Sequence, residues 1–186
     1  MLILNIWPQV DGGRFGIKRE IGDEVELWAD IFKDGHDKIA AQILFWPADA
    51  ESVQVAEMAF VDNDRWSGSF RPDAIGRWQY QIVAWPDLLA TKRDEIVKKF
   101  DAGIDISLEL REFDVLLERV LAGHPESAET VGSLRHQIAQ RPARPARFWP
   151  DMLSVSCFVD ARLHHTDEPQ KQTEDLRSET CSHALR

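Results

Sequence analysis

Between Val25 and Trp85 the apolar positions recur at every second residue. Val25, Leu27, Ala29 and Ile31 alternate with Glu24, Glu26, Trp28 and Asp30, the mark of a strand with one buried face. The run breaks at Asp34-Gly35, a turn dipeptide, before the apolar stretch Ile39 to Trp46, which Pro47 ends because it has no N–H to give a ladder. A third run, Ser52 to Phe60, leads into the turn cluster Asp62-Asn63-Asp64. In the next strand Trp66, Gly68 and Phe70 share a face, and in Arg77 to Trp85 so do Trp78, Tyr80, Ile82 and Ala84. Short strands separated by turn chemistry predict a mainly β fold, an immunoglobulin-like antiparallel β-sandwich over residues 1–86.

After Pro86 the period changes. Leu89, Ile96 and Phe100 recur at helical spacing among charged residues, and Gly103 stands where a glycine ends a helix. Asp105 is placed to cap a second helix with Ile106, Leu110, Phe113, Leu117 and Val120 or Leu121 on one stripe, ended by Gly123. A third, Ser127 to about Gln140, aligns Val131, Leu134 and Ile138. Short amphipathic helices need a packing surface, either each other and the sandwich or a partner subunit, and residues 87–140 are expected to form a small helical bundle inserted after the sandwich. Residues 141–160 are expected to hold a Pro-Arg linker and, at Met152 to Val159, a candidate returning strand. The polar stretch 161–186 is expected to be a disordered tail.

Composition narrows the partners. The chain has 186 residues and a formal net charge of −10. It offers no basic block for a phosphate backbone, so no nucleic acid is expected. No apolar stretch approaches the roughly 20 residues of a spanning helix, and Met1 to Val10 does not read as a signal peptide. No membrane role is expected. Cys157 and Cys181 do not make a disulfide framework and are expected to be reduced thiols in a cytoplasmic protein.

Beyond these patterns, particular strings carry a resemblance. Asn5-Ile6-Trp7-Pro8-Gln9-Val10-Asp11-Gly12-Gly13-Arg14-Phe15-Gly16-Ile17-Lys18-Arg19, then Gly22-Asp23-Glu24-Val25 and Ala29-Asp30-Ile31-Phe32-Lys33-Asp34-Gly35-His36-Asp37, are similar to the amino-terminal domain of bacterial α-1,4-glucan:maltose-1-phosphate maltosyltransferases of glycoside hydrolase family 13. The similarity continues through Asn63 to Phe70, Gly76 to Tyr80, Thr91 to Asp94 and Lys98 to Gly103, and spans about Leu2 to Leu121. It implies a sandwich interrupted by a helical insert, both building a homodimer interface beside a catalytic (β/α)₈ barrel. It implies a parent activity of maltosyl transfer from maltose 1-phosphate to α-1,4-glucan, in glycogen and related α-glucan synthesis, by a retaining mechanism. Ala146-Arg147-Phe148-Trp149 resembles the family's junction into the barrel, but Pro150-Asp151-Met152-Leu153 does not continue it. The catalytic carboxylates have no counterpart here, so no catalytic residue carries over. The expectation is a truncated chain whose last residues suit out-of-frame coding sequence.

The residues themselves agree that catalytic chemistry is hard to find. Asp11-Gly12-Gly13-Arg14 lacks phosphate-loop spacing and reads as a turn. Glu24 and Glu26 share a strand face that is expected to be solvated. His36 reads as a loop residue, Gly68-Ser69 lacks the context of a nucleophile elbow, and Cys157 with His164-His165 matches no zinc spacing. No catalytic, cofactor-binding or metal site is expected. The functional candidates are tryptophans: Trp28, Trp46 and Trp85 fall opposite the more apolar strand faces. They serve there as packing or interface residues, or stack on sugar rings. The function expected first is a non-catalytic dimerisation and scaffold domain, partnered by a second copy or by a catalytic barrel docked on an exposed apolar patch. The alternative is a stand-alone α-glucan-binding sandwich.

Overall fold

A computed structural model describes residues 1–49 and 52–139. The expected linker and returning strand at 141–160 and the expected tail at 161–186, with Trp149, Cys157 and His164-His165, lie outside the described residues. The chain divides into two compact units, Met1–Pro86 and a second that begins at Asp87.

The first unit is a six-stranded sheet in the order β1-β2-β5-β4-β3-β6. Its strands are β1 (Leu2–Trp7), β2 (Val25–Phe32), β3 (Lys38–Pro47), β4 (Gln54–Asp62), β5 (Arg65–Phe70) and β6 (Trp78–Asp87). The pairs β1–β2, β2–β5, β5–β4 and β4–β3 are antiparallel. The sheet curls until its ends face each other as the two layers of a sandwich. Phe70 on β5 lies 6.2 Å, centroid to centroid, from Tyr80 on β6, although β4 and β3 separate those strands in the hydrogen-bonded order. Phe45 on β3 stacks on Phe70 at 4.3 Å.

Alternation put the expected residues inside. Val25, Leu27, Ala29 and Ile31 of β2, with Ile43, Phe45, Met58, Trp66, Phe70, Trp78, Tyr80 and Ile82, form one buried cluster. Asp62 pairs with Arg65 across a two-residue hairpin in which Asn63 and Asp64 have φ of 47° and 66°. That left-handed pair makes the turn whose twist suits the flanking strands, and short polar side chains tolerate it. Across the sandwich the Tyr80 hydroxyl donates to the Pro8 carbonyl at 3.0 Å and ties the chain after β1 to β6. β1 itself is an element that alternation did not flag.

The second unit holds α1 (Leu88–Asp101), α2 (Ser107–Gly123), a 3₁₀ turn at Pro125–Ser127 and α3 (Ala128–Ala139). Asp87 caps α1 by accepting from the Ala90 N–H at 2.8 Å. Gly103 follows the α1 C-cap at φ 72°, a conformation that costs glycine little. Ile106 occupies the N-cap position of α2 without a side-chain bond, while Asp105 one residue earlier accepts from both the N–H and the hydroxyl of Ser107. Ile96, Ile106, Leu110, Phe113, Leu117, Val131 and Leu134 bury together, so the helices make a core of their own.

Candidate functional site

The three tryptophans singled out by the sequence all lie half-buried on the outer face of the sheet. Trp46 on β3 donates its indole N–H to the Gln79 side-chain carbonyl on β6 at 2.9 Å, which ties the ring to that strand. Trp85 lies further along β6, and Trp28 sits at the centre of β2. The structure does not gather the three at one point. It brings Trp28 together with a residue that the alternation pattern does not single out. Trp7, the last residue of β1, is 54% exposed, and its Cα lies opposite that of Trp28 in the antiparallel register. Directly opposite residues share a face with Cβ atoms about 5 Å apart. The row continues inward through Ser67 on β5 to Ala59 on β4.

Polar side chains flank this row on both sides. Two residues along β2, Asp30 accepts from Asn5 Nδ2 at 2.7 Å and from Arg65 Nε at 2.5 Å. Those bonds, from Asn5 first and then Arg65, hold the Asp30 carboxyl below its ordinary value. On the other side Glu26 pairs in register with Ser69, whose hydroxyl donates to Glu24 at 2.6 Å. That hydroxyl, with Arg71, lowers the Glu24 pKa. Glu24 and Glu26 are both exposed.

Other candidates resolve into structural parts. Asp11-Gly12-Gly13-Arg14 is a tight turn closed by the Gly13 and Phe15 N–H groups on the Val10 carbonyl, with φ of 51°, 61° and 87° at Asp11, Gly12 and Gly13. Arg14 lies over the Phe15 ring at 5.5 Å. His36 is exposed in the bend between β2 and β3. Among the described residues no group of three or more His, Cys, Asp and Glu could hold a metal ion. No described helix is long and apolar enough to cross a membrane.

The second unit carries ion pairs that spacing alone did not disclose. Glu109, on the buried face of α2, receives Lys99 Nζ of α1 at 2.5 Å, and the same ammonium reaches Glu95 at 2.6 Å. Lys92 bridges Glu95 and Glu112. Arg135 of α3 forks onto Asp114 of α2 at 2.5 and 3.0 Å and reaches Glu118 at 2.6 Å. These cations hold Glu95, Glu109 and Asp114 below their ordinary values.

A carboxyl whose pKa is lower folded than unfolded leaves the unfolded chain binding more protons, so acid favours unfolding. The stabilising effect is complete above the ordinary values of 4.5 for Glu and 3.8 for Asp, and is lost as pH falls through the lowered folded values. The urea midpoint is therefore expected to be level near neutrality and to fall steadily below those values. Lys99→Met is expected to lower the midpoint at pH 7 and to shrink the acid-sensitive part, because Glu109 then has burial against it and no cation for it. Parallel pH profiles for the variant and the parent would refute this assignment.

A curled antiparallel sheet followed by three helices, with tryptophans on its outer face, defines a mainly β fold with a helical unit. The chain belongs to the family described as α-1,4-glucan:maltose-1-phosphate maltosyltransferase, domain N/S, whose model matches residues 1–174. It is similar to the α-1,4-glucan:maltose-1-phosphate maltosyltransferase of Myxococcus xanthus, with 35% identity over 90% of this chain and 26% of that protein. It is also similar to those of Chlorobaculum tepidum, 37% identical over 74% of the chain and 20% of that protein, and Burkholderia pseudomallei, 40% identical over 77% and 13%. The chain thus spans about a quarter or less of the length of these relatives, and corresponds to their amino-terminal domain.

Proposed function

We propose that this chain is a non-catalytic dimerisation and scaffold domain of a maltosyltransferase system. In that system maltosyl units pass from maltose 1-phosphate to α-1,4-glucan on a separate catalytic domain. The observation that carries the reading is the family match over residues 1–174, set against relatives that are about four or more times longer. The surface supports it. Leu2 and Leu4 of β1, Val10 and Phe15 of the following turn, and Val55, Phe60 and Val61 of β4 are among the exposed apolar residues of the sheet unit. Exposed apolar side chains on β1, the turn after it and β4 support a protein contact on this unit. The partner is a second copy, with the catalytic domain as the next candidate.

Gel filtration with light scattering tests this directly. A dimer is expected at micromolar concentration. A chain that stays monomeric at about 100 μM would have a self-association weaker than about 5.5 kcal/mol, and that result would overturn the dimer.

A further inference from the structure

We propose that the Trp7–Trp28 row on the outer face of β1, β2 and β5 is a binding site for an α-1,4-glucan chain. The site rests on the family assignment and not on the dimer, so the two stand or fall in different experiments.

Three observations converge on this row. The first is the register, which sets Trp7 and Trp28 opposite each other on adjacent strands, the first more than half exposed at the sheet edge and the second half-buried. An indole offers a flat apolar face with a polar edge. A glucose ring is its complement: its axial C–H groups make an apolar face, and its hydroxyls project around the rim. The second observation is the relief beyond the indoles. Ser67 and Ala59 continue the row as small side chains, so no large side chain follows Trp28 along it.

The third is the distribution of hydrogen-bonding groups. Asn5, Asp30 and Arg65 lie on one side of the row, and Glu26 and Ser69 lie on the other. The bonds of Asp30 to Asn5 and Arg65 hold that side in place, and each carboxylate keeps lone pairs for a hydroxyl donor. A polyhydroxylated chain lying across the indoles meets polar groups on both flanks. An apolar protein partner would have to bury those same groups at a cost of a few kcal/mol if they lost solvent without replacement. The ligand class follows from these features together with the acceptor named in the family, an α-1,4-glucan.

Titration of the intact chain with maltoheptaose, read by tryptophan fluorescence and calorimetry, tests the site. Saturable binding in the millimolar range or tighter is expected, weakened about tenfold, a loss of roughly 1.4 kcal/mol, by Trp7→Ala. Trp46→Ala, on β3, is expected to bind as the parent does. Trp7 is exposed enough for its removal to leave the fold intact, which the urea midpoint checks. Trp28→Phe keeps an aromatic floor and is expected to bind with intermediate affinity. Absence of binding at about 10 mM sugar, or binding that Trp7→Ala leaves unchanged, overturns the site. A dimer by light scattering that fails to bind sugar would leave the surface as a protein contact and end the glucan assignment alone.

Discussion

Gly68→Val is expected to destabilise the sheet unit by about 3 kcal/mol or more, at the upper end of what forced insertion into a packed core costs. Gly68 sits in the middle of β5, between Leu27 on β2 and Met58 on β4. Its side-chain position faces the core. A Cβ built there would lie 2.7 Å from the Glu57 carbonyl oxygen, 2.9 Å from the Ile43 Cδ1 and 3.0 Å from the Met58 Cγ. The first is backbone, held in the β3–β4 and β4–β5 ladders, and cannot swing away as a side-chain tip would. Opposing this is the usual gain on replacing a strand glycine, roughly 0.5–1 kcal/mol from backbone entropy, with some added β-propensity for valine. The clash is several times larger and sets the sign. Gly68→Ala places the same Cβ and is expected to cost somewhat less. Urea denaturation followed by tryptophan fluorescence reads both variants. A midpoint for Gly68→Val at or above that of the parent would mean that β4 moves aside, and that the close approach of the two strands is not what selects glycine.

Much of the fold was legible because it is local. Period-two alternation placed the inner residues of β2, β5 and β6 correctly, and the β4–β5 hairpin carried its own turn chemistry at Asn63-Asp64. The helical stripe from Ile106 to Leu117 read directly as the buried face of α2. β1 escaped because Leu2, Ile3, Leu4 and Ile6 are apolar on both faces, so no alternation separates in from out. The pairing of Trp7 with Trp28 escaped for a related reason. Register between strands so far apart along the chain is set by the whole sheet, here with an irregularity between Leu4 and Trp7, and no local signal encodes it. The Lys99–Glu109 contact likewise joins two helices whose crossing decides which charges meet. For the same reason the three tryptophans were legible as a set of outward residues, while their different surroundings were not.

Trp78→Ala is expected to cost about 3–5 kcal/mol, the range for emptying a large aromatic site in a packed interior. Trp78 opens β6 and is only 2% exposed, among the largest side chains buried this deeply. Two interactions would be lost together. The ring lies against Phe45 with centroids 6.2 Å apart and planes inclined at 32°, filling the space where β6 closes over β3 and β5. The indole N–H donates to the Ala74 carbonyl at 3.0 Å, which anchors the loop entering β6. Alanine leaves a cavity beside Phe45 and strips the Ala74 oxygen of this donor. Trp78→Phe separates the two effects. Phenylalanine restores most of the aromatic packing but cannot donate, and the carbonyl of exposed Ala74 then turns to water, so its cost is expected to be nearer the roughly 0.5–1.5 kcal/mol net worth of one hydrogen bond plus a residual void. Measured by urea unfolding, the order parent, Trp78→Phe, Trp78→Ala is the expected ranking. If the phenylalanine variant were as unstable as the alanine one, the hydrogen bond to Ala74 would outweigh the packing of the ring. The closure of the sandwich would then depend on fixing that loop more than on filling the core, because the ring stack alone would have failed to hold β6 in place.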